Sequence, residues 1–275
     1  MLRLGPLLLP WGPLLLALGW LLAQQVAALA ARRGLGDAQA ALTGLLLAAL
    51  VAARAVFVMS HLDGYPGVVA MLDVRDRGFD EMAGWTVAAA GVAWLAWRRA
   101  ALRRSLPASA GAGALLVLAA QAMLRLASAD AGPPLPQLAL PTLDGAPLQL
   151  DTLRGEPLVL NLWATWCPPC RRELPVLVDA GRRAQGLRIV LVDQREAPEQ
   201  VRAYLRAAAL QPRWLALDVD GALAARYQVP GFPTTLFFDA DGRLRRMYVG
   251  ELSAATLQQG IAALRAPAVA GERGR

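Results

Sequence analysis

Long apolar stretches dominate the first half of this 275-residue chain and constrain its fold more than any other feature. Residues 1–128 are mainly Leu, Ala, Val, Gly and Trp, and ordinary polarity returns only after Asp130. A helix needs roughly 20 apolar residues to cross a bilayer. The stretches that come close to this length are 7–30, 38–58, 82–97 and 108–127. The sequence therefore predicts an all-α transmembrane domain of about four helices over residues 1–129, with a Pro- and Gly-rich linker at 130–136.

The arginines between these stretches predict the orientation. Arg32 and Arg33 follow the first stretch, and four arginines at 98, 99, 103 and 104 lie between the last two. The middle loop is instead rich in Asp and Glu between residues 63 and 81. Because arginine-rich loops stay in the cytoplasm, the N-terminus and everything after residue 130 are expected outside. A cleavable signal peptide is the alternative for the first 30 residues, but it would export the 98–104 cluster.

The net charge of +7 is carried entirely by arginine, since all 28 basic residues are arginine. It is spread evenly, with +4 in residues 1–132 and +3 in the rest. A nucleic-acid site needs a dense basic patch, usually with aromatic residues between the charges. The second half has none, so we expect no nucleic acid among the partners.

Residues 137–268 show an alternation of short strands and helices. A first hairpin of 135–140 with 147–150 is predicted around the Asp-Gly turn at 144–145. Further strands are predicted at 158–163 and 188–192, helices at 168–184 and 198–208, then a second hairpin of 234–238 with 244–249 and a helix at 254–264. This order is typical of an α/β sheet covered on both faces. Residues 269–275 are predicted to be a disordered tail.

Cys167 and Cys170 are the only cysteines of the chain and lie in the sequence Trp166-Cys167-Pro168-Pro169-Cys170. A buried strand precedes them and a helix follows, so Cys167 is expected at a helix N-terminus. Backbone N–H groups and the helix dipole stabilise a thiolate there. Cys170, one turn further on, can attack a mixed disulfide and release a substrate. The pair therefore predicts a redox-active disulfide, with no cofactor and no metal required.

Other interpretations of the cysteine pair are weaker. A structural zinc site needs about four ligands, yet there is no second pair and the only histidine is His61. Haem attachment would need histidine at 171, where Arg171 stands. An inert disulfide, or a copper(I) site on soft thiolates, remains open.

Two motifs give the chain a family resemblance. Residues 161–175, Asn-Leu-Trp-Ala-Thr-Trp-Cys-Pro-Pro-Cys-Arg-Arg-Glu-Leu-Pro, resemble the active-site signature of the TlpA/ResA/CcmG group of thioredoxin-like proteins. Residues 229–235, Val-Pro-Gly-Phe-Pro-Thr-Thr, resemble the second signature of that group. The resemblance implies a thioredoxin-like α/β fold with a central mixed sheet, and reduction of disulfides outside the cytoplasm. It also implies a cis peptide bond before Pro233.

The resemblance also implies the remaining site residues. Glu173 matches a catalytic carboxylate; it would raise a thiol pKa by repulsion or carry its proton, and a solvated acid in the first helical turn is the alternative. Thioredoxin itself has a buried acid six residues before its first cysteine, where this chain has Asn161. Trp166 is expected to shield the thiols, with a core aromatic as its alternative. The substrate-binding set is Trp166, Pro168, Pro169, Phe232 and Pro233.

The membrane region has a second, fainter resemblance. Arg54-Ala55-Val56-Phe57-Val58, Tyr65-Pro66, the run 72–79 and Ala83-Gly84 resemble the early part of prolipoprotein diacylglyceryl transferases, although the His-Gly-Gly element of that family is missing. A borrowed membrane anchor is the interpretation we favour over a lipid-modifying transferase.

The sequence thus predicts a multi-pass inner-membrane thiol-disulfide oxidoreductase with its redox domain in the periplasm. It would mainly reduce disulfides of exported proteins, in cytochrome c maturation or a related pathway. Its predicted helices hold no cysteine, so a membrane electron donor of the DsbD or CcdA type is expected to recharge it, with membrane lipid around the helices. A net oxidase or isomerase, and a copper(I) metallochaperone or redox-sensing module, are the alternatives.

Overall fold

The computed structural model describes residues 2–4, 7–9, 11–65, 67–127 and 132–265. The chain forms two compact units. The helical unit contains Met1–Leu62 and Gly78–Asp130. The α/β unit contains Ala131–Arg275 together with Asp63–Arg77, the segment between the second and third predicted spans. That short segment is therefore built into the second unit, although its chain neighbours on both sides belong to the first.

The described part of the helical unit has four long helices where the sequence predicts them. They are α1 (Trp11–Arg32), α2 (Gln39–Ser60), α4 (Glu81–Arg98) and α5 (Ser105–Ala127). Among the residues that the structure describes, three helices are long and apolar enough to cross a membrane: Trp11–Arg32, Gln39–Ser60 and Ser105–Leu124. Helix α4 has only 18 residues and has a charged residue at each end, Glu81 and Arg98, which reduces its apolar content.

Close approach of two helix backbones organises the pairing of α1 with α5. A Cβ atom added to Gly19 would lie 2.9 Å from the carbonyl oxygen of Gly113, and one added to Gly113 would lie 2.4 Å from that of Gly19. Small residues at such crossings are typical of membrane helices. Outward-facing side chains such as Leu47 and Val51 are 59% and 69% exposed, as expected of surfaces that meet lipid.

The N-terminal end of the first predicted span is not helical. Residues 7–9 form strand β2 (Leu7–Leu9), antiparallel to β1 (Leu2–Leu4). Prolines occupy positions 6 and 10 in the sequence, and the residue before a proline disfavours the α conformation. Helix α1 accordingly begins at Trp11.

The α/β unit is built on a five-stranded mixed sheet of β5 (Leu158–Trp163), β6 (Arg188–Gln194), β7 (Leu215–Asp218), β8 (Thr234–Phe238) and β9 (Leu244–Val249). The strand order is β7-β6-β5-β8-β9. The first three of these strands are parallel, and β8 and β9 are antiparallel to their neighbours. A separate hairpin pairs β3 (Ala139–Pro141) with β4 (Pro147–Gln149). The helices of the α/β unit are α3 (Val68–Leu72), α6 (Pro168–Arg183), α7 (Pro198–Ala207), α8 (Ala222–Arg226) and α9 (Ala254–Arg265).

Central strand β5 is buried on both faces of the sheet, so its six residues form a nearly continuous apolar run. Leu158, Leu160 and Leu162 point into one core, and Val159 and Trp163 point into the other, which α6 closes. Asn161 belongs by alternation to this second face. The strand ends at Trp163 and α6 begins at Pro168, so the cysteine pair lies where the central strand passes into a helix.

The first hairpin is shorter than predicted. The sequence predicts a strand from residue 135, yet β3 begins at Ala139. Prolines at 133, 134 and 136 lack the N–H group that a strand ladder requires. The second hairpin matches its predicted bounds, with Gly242 at its turn in the left-handed region at φ 76°.

Candidate active site

Cys167 and Cys170 form a disulfide at the start of α6. Their Cα atoms are 5.3 Å apart. Cys167 is the N-cap of the helix, and its Sγ accepts a hydrogen bond from the backbone N–H of Cys170 at 3.3 Å. Cys167 is 3% exposed and Cys170 is fully buried. The N-terminal end of a helix favours negative charge, so in the dithiol form this position favours a thiolate on Cys167.

Glu173 is fully buried beneath the cysteine pair, one helical turn after Cys170. Its carboxyl accepts hydrogen bonds from the side-chain amide of Asn161 at 2.7 Å and from the backbone N–H of Leu252 at 2.8 Å. Burial raises the pKa of Glu173 to about 8, and the two hydrogen bonds offset that rise only in part. The alternative of a solvated surface acid is therefore wrong.

Asn161 connects Glu173 to the sheet. Its amide nitrogen donates to Glu173 and also to the hydroxyl of Thr235 on β8, at 3.0 Å. An amide nitrogen has two hydrogens, and both are used here. Sequence comparison identified Asn161 only as a departure from thioredoxin. In the structure it is a direct partner of the buried carboxyl.

Three of the predicted substrate-binding residues, Trp166, Pro168 and Pro169, adjoin the cysteines in the sequence, and Phe232 packs against the core cluster that contains both cysteines. Trp166 is 64% exposed, so the core-aromatic alternative is wrong for it. Its ring meets that of Phe232 edge to face, with centroids 6.2 Å apart. The Phe232–Pro233 peptide bond is cis, as the resemblance implies. Pro168 and Pro169 form the first turn of α6, where a proline loses no helical hydrogen bond.

A pair of buried acids, Asp193 and Glu196, lies at the same edge of the sheet as the disulfide and was not predicted from the sequence. Glu196 accepts hydrogen bonds from the backbone N–H and the hydroxyl of Thr165, at 2.5 and 2.6 Å. Asp193 is the second-last residue of β6 and interacts with Glu196. Burial, with a smaller contribution from Glu196, raises the pKa of Asp193 to about 8. Carboxyl ends of parallel strands meet at one edge, and acids just after a buried strand are the signal that could have found them.

Metal ligation finds no support in the described part of the chain. Those residues contain no group of three or more His, Cys, Asp or Glu side chains that could hold a metal ion.

The mixed sheet, the disulfide at the start of α6 and the cis peptide bond before Pro233 together define a protein of the thioredoxin-like class. Residues 131–247 match the family model described as the AhpC/TSA family. Over 132 residues the chain is 37% identical to the thiol:disulfide interchange protein DsbE of Escherichia coli K12, covering 46% of this chain and 70% of that protein.

Two further relatives come from Bacillus subtilis strain 168. The thioredoxin-like protein YneN is 33% identical over 128 residues, with 45% of this chain and 74% of that protein covered. The thiol-disulfide oxidoreductase ResA is 27% identical over 128 residues, with coverages of 46% and 71%. The chain belongs to the DsbE/ResA family of thioredoxin-like thiol-disulfide oxidoreductases.

Proposed function

We propose that this protein is a membrane-anchored oxidoreductase that mainly reduces disulfides of exported proteins outside the cytoplasm, in cytochrome c maturation or a related pathway. The observation that carries the proposal is the Cys167–Cys170 disulfide at the N-terminus of α6 with the buried carboxyl of Glu173 one turn below it. When the disulfide is reduced, Cys167 supplies a nucleophile, and Glu173 supplies a proton acceptor in the same helix.

In the proposed reaction the reduced protein transfers two electrons to its substrate. The thiolate of Cys167 attacks one sulfur of a substrate disulfide, forming a mixed disulfide and releasing the other substrate sulfur as a thiolate. Cys170 then loses its proton to Glu173 and attacks the sulfur of Cys167. The Cys167–Cys170 bond forms, the mixed disulfide breaks, and the second substrate sulfur leaves as a thiolate that takes a proton from water.

The exposed surface beside the disulfide is the proposed binding site for an extended substrate segment. Trp166 and Phe232 offer adjoining aromatic faces, and the prolines at 168, 169 and 233 leave the nearby backbone rigid. Aromatic faces contribute binding without fixing a particular sequence. This suits a protein that acts on a disulfide in partly folded substrates.

The oxidised pair must be reduced again by another protein, because the 275-residue sequence contains no further cysteine to pass electrons. We propose a membrane electron donor of the DsbD or CcdA type. Membrane lipid is the proposed environment of the apolar helices α1, α2 and α5. The helical part faintly resembles prolipoprotein diacylglyceryl transferases, and we interpret it as a membrane anchor rather than as a transferase.

The proposed domain boundaries are those predicted from the sequence, namely a four-helix transmembrane domain at 1–129, a linker at 130–136 and a redox domain at 137–268. The predicted tail, 269–275, and linker residues 130 and 131 lie outside the described residues. The segment Asp63–Arg77 supports placement of the redox domain outside, because it belongs to the same compact unit as the sheet. A loop and a domain in one unit must lie on one side of a membrane, and the loop is the acidic, non-cytoplasmic one.

The proposed inner-membrane, multi-pass topology predicts a labelling pattern. In full-length protein lacking both native cysteines, Val69→Cys and Val219→Cys should react with a membrane-impermeant maleimide added to intact cells. Both valines are exposed, at 85% and 50%. Arg33→Cys, in the predicted cytoplasmic loop, should react only after the cells are permeabilised. Labelling of Arg33→Cys in intact cells, or a difference between the two valine sites, would contradict this topology.

A low reduction potential is the expected result for a net reductant. The buried Glu173 carboxyl, once ionised above its pKa of about 8, disfavours a thiolate on the cysteines, and strong oxidants are those whose reduced form is stabilised. Equilibration of the full-length protein with glutathione should therefore give about −200 to −270 mV, the range of glutaredoxin and thioredoxin. Glu173→Gln should raise the reduction potential most above about pH 8. A wild-type reduction potential of about −120 mV would instead establish the alternative, a net oxidase.

A copper(I) metallochaperone or redox-sensing module is the second candidate function, favoured only by the two adjacent soft ligands at the helix start. Stoichiometric copper(I) binding by the reduced protein, without exchange with a model disulfide, would support it. Rapid exchange with oxidised glutathione would support the oxidoreductase.

A further inference from the structure

The segment of residues 63–77 lies against the end of strand β9. The hydroxyl of Tyr248 donates a hydrogen bond to the backbone oxygen of Asp76 at 2.9 Å, and Tyr248 is 7% exposed. The guanidinium group of Arg77 lies over the Tyr248 ring, 5.6 Å from its centroid, and donates to the backbone oxygen of Val249 at 3.2 Å. Asp76 and Arg77 therefore hold the last two residues of the strand.

The same segment also contacts the start of helix α9. A Cβ atom added to Gly64 would lie 3.1 Å from the backbone nitrogen of Ala255, so the two backbones touch. Within the segment, the hydroxyl of Tyr65 donates to the carboxyl of Asp76 at 2.7 Å in a buried position. The two ends of the segment thus hold both sides of the turn at residues 250–253.

This turn is the one that contacts Glu173. The backbone N–H of Leu252 donates to the Glu173 carboxyl at 2.8 Å. Its neighbour Glu251 accepts two hydrogen bonds on one carboxyl oxygen and one on the other from Arg172, which precedes Glu173 on α6. The turn is therefore held by α6 on one side and by the 63–77 segment on the other.

We propose that the 63–77 segment is a positioning element of the active site, which fixes the N–H group of Leu252 against Glu173 through Tyr248. The inference rests on the proposed role of Glu173 as proton acceptor. Tyr248 and Arg77 act through the turn and are positioning residues. The part of the chain that joins α2 to α4 then contributes to the thiol chemistry as well as to anchoring.

The step that depends on this positioning is resolution of the mixed disulfide. The proton of Cys170 passes to the Glu173 carboxylate, the Cys170–Cys167 bond forms, and the bond from Cys167 to the substrate sulfur breaks. A hydrogen bond from Leu252 stabilises the charged carboxylate. Loosening the turn weakens that bond, so Glu173 holds its own proton up to a higher pH and accepts the Cys170 proton less readily.

The test uses reduced full-length protein and oxidised glutathione, with acid quenching and mass spectrometry of the mixed disulfide over a range of pH. Tyr248→Phe keeps the ring and removes the hydroxyl that binds Asp76. The pH midpoint of resolution is expected to rise by about 0.5 unit, which slows resolution about threefold below the midpoint. Arg77→Gln should shift the midpoint in the same direction, and it serves as a second variant should Tyr248→Phe fail to fold.

Tyr227→Phe is the matched control. Tyr227 is equally buried, and its hydroxyl donates to a backbone oxygen, that of Pro134, at 3.0 Å in the core on the other face of the sheet. The pH midpoint of resolution in Tyr227→Phe should equal that of the wild type. In a Glu173→Gln background, Tyr248→Phe should cause no further shift.

If Tyr248→Phe and Arg77→Gln fold and keep the wild-type pH midpoint of resolution, the positioning role alone is overturned. The same holds if Tyr248→Phe shifts the midpoint just as far in the Glu173→Gln background as in the wild type. A wild-type pH profile in Glu173→Gln itself overturns the proton role of Glu173, and this inference with it. The single and double variants therefore separate the two failures.

Discussion

Raising the pH from about 5 to about 8 is expected to lower the free energy of unfolding of the α/β unit by about 3 kcal/mol through Glu173 alone. The folded state holds the pKa of this carboxyl at about 8, against 4.5 without the fold. The folded protein therefore binds more protons than the unfolded protein in this window, and its stability falls as the pH rises. Asp193, raised from 3.8 to about 8, acts in the same direction.

Hydrogen exchange of the β5 amides in the full-length protein, corrected for the intrinsic effect of pH, measures this change. Glu173→Gln removes the titrating group and keeps a side chain of similar shape, so the slope should become less steep. Asp179→Asn, at an exposed acid on the same helix, is the control and should leave it unchanged. A stability that rises between about pH 5 and 8 would show that Glu173 is not desolvated as the structure has it.

Cys167→Ser is expected to reduce disulfide reduction to the uncatalysed background. A hydroxyl has a far higher pKa than a thiol, so the variant has no nucleophile at the helix N-terminus. Cys170→Ser should still form the first bond and then stop, because nothing resolves the mixed disulfide. Turnover of insulin disulfides by the full-length protein measures the first effect, and gel shifts under non-reducing conditions measure the second.

The two serine variants control for one another because they differ by one helical turn in the same motif. Cys170→Ser in cells should retain exported proteins as covalent complexes, which mass spectrometry can identify. Cys167→Ser should retain none. Equal trapping by both variants would mean that the two cysteines do not have the ordered roles proposed, and residual turnover in Cys167→Ser would place the nucleophile elsewhere.

Local patterns in the sequence were enough to predict most elements of the α/β unit. Strand β5 and the second hairpin have their predicted bounds, because a six-residue apolar run and an Asp-Gly turn are signals contained within a few residues. The cis bond at Pro233 and the family itself followed from two short motifs. The strand at residues 7–9 was missed, since apolar composition alone does not distinguish a helix from a strand that prolines delimit.

The environment of Glu173 could be predicted only in part. Helical spacing places it on the same side as Cys170, but spacing alone allowed both a buried and a solvated carboxyl. Its two partners, Asn161 and Leu252, lie 12 and 79 residues away along the chain. The hydrogen bonds from Thr165 to Glu196 join residues that are 31 positions apart in the chain. Such contacts depend on strand order and on packing between elements, which periodicity does not encode.

Residue types and their spacing were sufficient to predict an apolar helical part, an α/β part and one cysteine pair at a strand-to-helix junction. The folded structure was needed to show that Glu173 is buried, that Asn161 and Leu252 donate hydrogen bonds to it, and that residues 63–77 belong to the α/β unit. The pKa of a carboxyl depends on the water it loses and the hydrogen-bond donors it gains on folding. Both come from segments distant in the chain.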